Sequence, residues 1–550
     1  MQILRSLIPS GLALAFGLIL AMMPLHTAKA DFQSDVRALA AKGSKAKIAA
    51  VSKLAAGGHA QTVAVLEAFL NGQLFTHKPD KRLVIGTKAK GGYLIKDAVR
   101  GTDTAVVAKK LLKKIRINNR LRKVVKSALG GLTLLSSDEA QRLKAANALF
   151  KSRPAGMLDL LNKAHGQETV AKIKSAMHRT LSAIQATRLK DNEQRIAALK
   201  ALAAYPVQDV RALIAGLLSV GADGKPREAD ADVRKAARAA LGDIEDSLQL
   251  WGFAASIFQG ISLGSVLLLA AIGLAITFGV MGVINMAHGE MVMLGAYTTY
   301  VVQDLFKTYF PGAFDLSILV AIPAAFLVAG GVGIVIERGI IRYLYGRPLE
   351  TLLATWGLSL VLQQLVRTIF GPTNREVANP SWMSGALEVT GGLTLTYNRI
   401  WIIVFALLVL GLIMALLRKT DFGLQMRAVT QNREMAASMG IRTGRVDALT
   451  FGLGSGIAGM AGVALSQIDN VSPNLGQAYI IDSFMVVVFG GVGNLWGTLV
   501  GAMSLGVVNK FLEPMAGAVL AKILVLVAII LFIQKRPRGL FALRGRAVES

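Results

Sequence analysis

Between residues 254 and 533 the chain is built of long apolar runs separated by shorter polar stretches, and this limits its fold more than any other feature. Runs near 20 residues match the hydrocarbon thickness of a bilayer when helical. In lipid each such segment must satisfy its own backbone polar groups. The runs lie at 254–278, 290–302, 318–336, 352–370, 401–417, 448–468, 481–492, 495–508 and 519–533, of which 481–492 is too short to span untilted. Connections rich in Lys and Arg belong on the cytoplasmic side, which gives about nine crossings that start outside and finish inside. The basic stretches 337–347, 418–445 and 535–538 then share one side. The expected fold class is all-α: a polytopic helical membrane domain over residues 251–538, followed by a cytoplasmic tail at 539–550.

Composition separates this region from what precedes it. Mean hydropathy is +0.50 with 53% hydrophobic residues, yet the formal charge is +27, a combination uncommon in one soluble domain. Residues 31–250 hold about 39 Lys and Arg against about 20 Asp and Glu. The chain has no cysteine, which excludes a disulfide framework, a thiolate metal site and a thiol nucleophile. Arg5, an apolar stretch at 7–23 and the small-x-small triplet Ala28, Lys29, Ala30 together form a secretory leader over residues 1–30. Cleavage after Ala30 would place 31–250 outside the cytoplasmic membrane, in the periplasm of a Gram-negative cell.

Residues 31–250 are Ala, Leu, Lys and Arg rich and are expected to be helical, with a small β element over 72–105. A weak repeat, RLKAANAL at 142–149, RIAALKAL at 195–202 and RKAARAAL at 234–241, resembles HEAT-type helical repeats, although its spacing is irregular. A basic helical surface of this kind suits a protein partner or anionic membrane lipid. The secreted location argues against nucleic acid.

Within the membrane region two segments are interrupted by glycine, FGVMGVINMAHGE at 278–290 and FGGVGNLWG at 489–497. Paired interruptions of this kind point to a substrate path, and ionisable residues within a span are functional candidates. The candidates are Asn285, His288, Glu290, Gln363, Gln467 and Asn494, whose donors and acceptors can replace water around a small polar solute. Each has a structural alternative, a helix-end hydrogen bond or interhelical glue. His288 and Glu290, two residues apart with no further ligand nearby, make a poor metal site, so no metal is expected.

The segment 418–445, RKTDFGLQMRAVTQNREMAASMGIRTGR, has the composition of a short amphipathic helix. Its apolar side would draw on Met426, Val429, Met435, Ala436, Met439 and Ile441, and Gly440 is placed to end it. Its core, EMAASMG at 434–440, resembles the loop with which permeases of ATP-binding-cassette (ABC) importers grip their ATPase. The other reading is a juxtamembrane helix on anionic lipid. No phosphate-binding GxxxxGK[ST] loop, GxSxG elbow or zinc-protease signature occurs, so nucleotide hydrolysis would reside in another chain and the protein is not expected to be an enzyme.

From about residue 256 to 538 the chain resembles permeases of the branched-chain amino-acid and urea class of ABC importers. GVINMAHGE (282–290), LETLLATWGL (349–358), the 418–445 segment and GGVGNLWG (490–497) carry the likeness, in order and spacing. YGRPLE (345–350), VANPSWMSG (377–385) and the long leading extension are similar to the urea subgroup. The segment departs from the general importer pattern in Ser438 and Met439 and in lacking a Leu-Pro pair downstream. The resemblance implies a heteromeric importer with a second homologous permease, two cytoplasmic ATPases and a periplasmic substrate-binding protein. It also implies Arg427, Glu434, Ala436, Ala437 and Gly440 as the ATPase-coupling residues. No cofactor would be bound by this chain, ATP being used by its partners. A permease for branched-chain amino acids or short amides, and a passive urea channel, are the alternatives.

Overall fold

The computed structural model describes residues 27–541 apart from positions 42, 58, 60, 90–91, 103–104, 222–223 and 391–392. The expected leader therefore lies mostly outside the described residues, as do positions 542–550 of the expected tail. The chain divides into two compact units, Met1–Ser247 and Leu248–Ser550.

The first unit begins with helices α1 (Thr27–Ala38), α2 (Ser44–Ala56) and α3 (Thr62–Leu70). Five strands follow: β1 (Leu74–His77), β2 (Leu83–Ala89), β3 (Gly92–Asp97), β4 (Ala105–Val107) and β5 (Leu112–Lys114). They form one antiparallel sheet in the order β4-β3-β2-β1-β5. The all-α expectation is thus corrected, and the β element is larger than 72–105. The lysines at 109, 110, 113 and 114 gave the last strand a helical look, but backbone pairing with β1 makes 112–114 a strand, with Leu112 buried and Lys113 and Lys114 exposed. Helices α4 (Asn119–Thr133), α5 (Glu139–Ser152), α6 (Leu158–Gln167), α7 (Ala171–Arg188), α8 (Asn192–Ala203) and α9 (Gln208–Leu218) complete the run, before α10 (Ala231–Met281).

The three repeats share a local design. Asp138, Asp191 and Asp230 each accept from backbone N–H groups at the start of α5, α8 and α10, as N-cap residues do. Four residues on, Arg142, Arg195 and Arg234 turn back onto backbone carbonyls that precede their own helix. Arg142 also clasps Glu168, and Arg195 clasps Glu228. The hydrogen bonds from these arginines hold both carboxyls below the usual carboxylate range.

Helix α10 is 51 residues long and passes unbroken through the expected domain boundary at 250/251. In the second unit come α11 (His288–Tyr309), α12 (Ser317–Gly339), α13 (Pro348–Phe370), the hairpin β6 (Ala386–Thr390) and β7 (Leu393–Thr396), and α14 (Tyr397–Lys419). Then follow α15 (Asp421–Gln431), α16 (Arg433–Ser438), α17 (Thr443–Ser466), α18 (Leu475–Gly490), α19 (Leu495–Ala516) and α20 (Ala518–Lys535). Among the described residues seven helices are long and apolar enough to cross a membrane, against about nine crossings expected. The segments expected at 290–302 and 481–492 are α11, which carries Glu290, Asp304 and Lys307, and the short α18.

Helix α17 is the hub, buried over most of its length against α11 and α12. Its glycines allow this. A Cβ at Gly459 would lie 2.6 Å from the Ala325 carbonyl oxygen of α12, and one at Gly454 would lie 2.7 Å from that of Gly273 in α10. Small residues let helix backbones approach closely where lipid gives no hydrophobic drive to associate.

Candidate functional site

Both glycine-interrupted segments are real breaks. Helix α10 stops at Met281, Gly282 takes φ +68°, and the chain stays non-helical until His288. Helix α18 stops at Gly490, Gly491 and Gly493 take φ +103° and +78°, and α19 starts at Leu495. The two meet: a Cβ on Gly279 would lie 2.7 Å from the Cα of Gly493.

The first break opens onto a buried polar seam on α13. Thr351, Thr355, Ser359 and Gln363 recur at four-residue spacing and are all buried, while Leu353, Trp356, Leu360 and Leu365 on the remaining surface are exposed. A membrane helix with that distribution turns its polar face into the protein. Thr355 accepts from the Met286 backbone N–H at 3.1 Å, inside the break. Ser359 and Gln363 donate to Glu290 Oε1 at 2.9 and 2.8 Å. The other carboxylate oxygen of Glu290, Oε2, is buried with no hydrogen-bond partner. One turn beyond Gln363, Arg367 donates to Asn474 Oδ1 at 2.5 Å, which closes the seam at that end.

The sequence candidates divide accordingly. Glu290 and Gln363 are joined directly, and Asn285 lies in the break, where its Oδ1 accepts from the Ala287 N–H. His288 turns away: its Nε2–H donates to the Ala270 carbonyl at 2.9 Å, and its Nδ1 has no partner. Gln467 caps α17 and bonds Ser466, with no hydrogen bond to the Glu290 cluster. Asn494 caps α19 through the N–H groups of Trp496 and Gly497. It lines a different space, shared with Arg418 and Arg427.

That space is a cavity of about 550 Å³. On one side stand Met426, Arg427 and Thr430 of α15; on the other stand Gly279 and Val280 from the last turn of α10, just before the first break, and Gly493 and Asn494 from the second break. The 418–445 segment therefore abuts the junction of both interrupted helices.

The segment itself is two helices rather than one. Thr420 caps α15, and Asn432 leaves helical geometry and caps α16 through Met435 N–H. Gly440, at φ +90°, donates to Ala437 O while Ile441 N–H reaches Ala436 O, the paired bonds of a Schellman ending. Met426, Val429 and Ala436 face inward as expected. Met435 and Met439 do not: they are 60% and 78% exposed, next to exposed Arg427, Glu434, Ala437 and Gly440. Leu424 of the same segment is also exposed, at 60%, so the segment presents three large apolar side chains to the surface among the described residues.

One group of residues escaped the sequence reading. Arg433 pairs with the fully buried Asp447 at the start of α17, and its guanidinium lies 4.7 Å from the Tyr345 ring centre. Tyr345 donates to Glu337 Oε1 at the end of α12, at 2.9 Å. Burial, then the charges of Asp447 and Glu337, push the Tyr345 phenol far above its ordinary pKa, so it stays a donor. The network ties α16 to α12, α17 and the loop before α13. Its sequence signals were an Asp at the head of a glycine-rich span and a Glu at the foot of another.

Broken helices, a buried polar seam and a polar helical segment against the breaks define a membrane transport subunit. The chain belongs to the family described as branched-chain amino acid transport system / permease component, which matches residues 256–533. It is 31% identical to the high-affinity branched-chain amino acid transport system permease protein LivH of Salmonella typhimurium over 303 residues, 54% of this chain and 97% of LivH. It is 28% identical to the corresponding protein BraD of Pseudomonas aeruginosa, covering 53% of this chain and 96% of BraD. A probable branched-chain amino acid permease, LivH of Methanocaldococcus jannaschii, is 26% identical over 44% of this chain and 76% of its own length. No solved structure matches. The protein is thus a multi-pass permease component and not an enzyme.

Proposed function

We propose that this chain is the permease subunit of an ATP-driven importer that carries urea. The observation that carries the reading is the cavity where the 418–445 segment meets both helix breaks. A push on α15 there would reach the two places where the bundle's helices are already discontinuous. The ATPase would seat on the exposed surface of Leu424, Met435 and Met439, around Arg427, Glu434, Ala437 and Gly440, with ATP bound and hydrolysed only in that partner. A second permease and a periplasmic binding protein complete the assembly, and residues 31–250 would stand on the periplasmic side of the inner membrane.

Within the bundle the path runs along α13, with Asn285, Glu290, Ser359 and Gln363 as its polar groups. The free Glu290 Oε2 is an acceptor, and urea brings four N–H donors and one carbonyl. A ligand this small supplies little differential binding energy, so the switch between outward and inward access must be driven by the ATPase. The urea-like motifs at 345–350 and 377–385 support that substrate. So does the extension: relatives named for branched-chain amino acids match over nearly their whole length yet account for about half of this chain. The names of those relatives favour a second reading, a permease for branched-chain amino acids.

Uptake of labelled urea by cells carrying the intact importer tests this. It should be competed by unlabelled urea, be unaffected by excess leucine, and stop when ATP is depleted. Competition by leucine would establish the second reading, and uptake that survives ATP depletion would make the protein a channel.

A further inference from the structure

Lysine and arginine are spread over the first unit, but in one place they converge. Helices α3, α4 and α5 enclose a cavity of about 920 Å³ that lies wholly within this unit. Lys123 and Lys126 enter it from α4, and Lys144 and Lys151 from α5. Arg153, just past the end of α5, and Arg188, at the end of α7, complete its lining of cations. Glu67 is the one carboxylate lining the cavity, and none of the six cations makes an ion pair among the described residues. The floor is apolar, with Val63, Leu129 and Ala145.

Like charges that face one another around a concave surface repel, and the arrangement is unfavourable until an anion occupies it. The chain does not avoid it; it builds it. Arg153 is a non-glycine residue at φ +48°, a conformation that costs energy and gathers at functional sites. That turn directs its carbonyl to Arg188, whose Nε–H donates to it at 3.2 Å, so the Arg188 guanidinium is tied to the backbone at Arg153. Burial and then the charge of Arg188 lower the Arg153 pKa, the mark of a cation whose charge is unmet.

We infer that this cavity is a binding site for a phosphate-bearing ligand. The volume is that of a small-molecule site rather than an extended protein interface. Arginine supplies a planar fork for paired phosphate oxygens, and lysine a point charge. A compact anion of several charges is the chemistry that six converging cations recognise, whereas acidic side chains of a protein carry one charge each and are spread over a surface. Free polyphosphate and a phospholipid headgroup present the same groups.

The test uses the full-length protein in a zwitterionic detergent. Sodium tripolyphosphate, dihexanoyl phosphatidylglycerol and dihexanoyl phosphatidylcholine are titrated separately by calorimetry. Saturable binding of tripolyphosphate is expected, weakened about tenfold or more in Lys126→Glu/Lys144→Glu, since each reversal replaces an attraction to the phosphate by a repulsion. Lys109→Glu/Lys110→Glu, which makes the same change of net charge outside the cavity, should bind as the parent does. These lysines are exposed, so the variants retain the fold. Binding of phosphatidylglycerol but not phosphatidylcholine, with the same variant pattern, identifies a headgroup; binding of tripolyphosphate alone identifies a soluble anion. Absence of binding, equal losses in both double variants, or tighter binding of a polyglutamate peptide would overturn the phosphate site.

Discussion

Glu290 is the residue on which the transport reading bears hardest. One of its oxygens takes two hydrogen bonds from α13, and the other is buried and takes none. A buried carboxylate held that way costs stability and persists where something else uses it. Glu290→Gln should therefore leave the thermal midpoint of the purified protein unchanged or higher, because a buried charge is removed. Uptake should fall about tenfold or more, the scale of one lost bond to a charged group. Normal uptake would take Glu290 out of the path. The sequence showed Glu290 and Gln363 as separate polar residues. It did not show that they touch, although the spacing 351, 355, 359, 363, 367 was there to be read as one helix face. Ser359 and Thr355 were missed because a hydroxyl in an apolar helix is ordinarily silent, bonded to its own backbone.

At the scale of elements, the coupling proposed for the 418–445 segment depends on how that segment is attached. Helix α16 is six residues long and could not hold its shape alone. Arg433 joins it to α17, and Tyr345 with Glu337 brings in α12. Arg433→Ala leaves Asp447 buried without its partner and should destabilise the second unit by about 1–3 kcal/mol, towards the low end because the arginine is partly exposed. Asp447→Asn added to that variant should recover most of the midpoint, measured by thermal melting in detergent. Uptake should stay impaired in the double variant, since the tie is still missing. Recovery of both would reduce the network to packing. Asn432, which divides the segment, is a residue type suited to capping, but the sequence reading carried one helix through it. The division follows from its competing for Met435 N–H against a continuous helix.

For the whole molecule, the exposed methionines bear on assembly. Met435→Glu/Met439→Glu should fold as the parent does, because both side chains are at the surface. On the proposed assembly a phosphate-loop ATPase is expected to copurify with the parent and to be mostly lost from this variant. Undiminished copurification would move the docking site elsewhere.

Apolar run length determined most of the membrane helices and the glycine-rich runs the two breaks, while the family was legible in short motifs such as GVINMAHGE at 282–290. Those are local properties, set by the cost of desolvating a backbone within one stretch of chain. Three features were settled by tertiary structure alone: the five-stranded sheet in the basic unit, the meeting of the two breaks beneath α15, and the pairing of Glu290 with α13. Each joins residues distant in sequence, and only packing decides which partners a buried polar group or a strand edge will find.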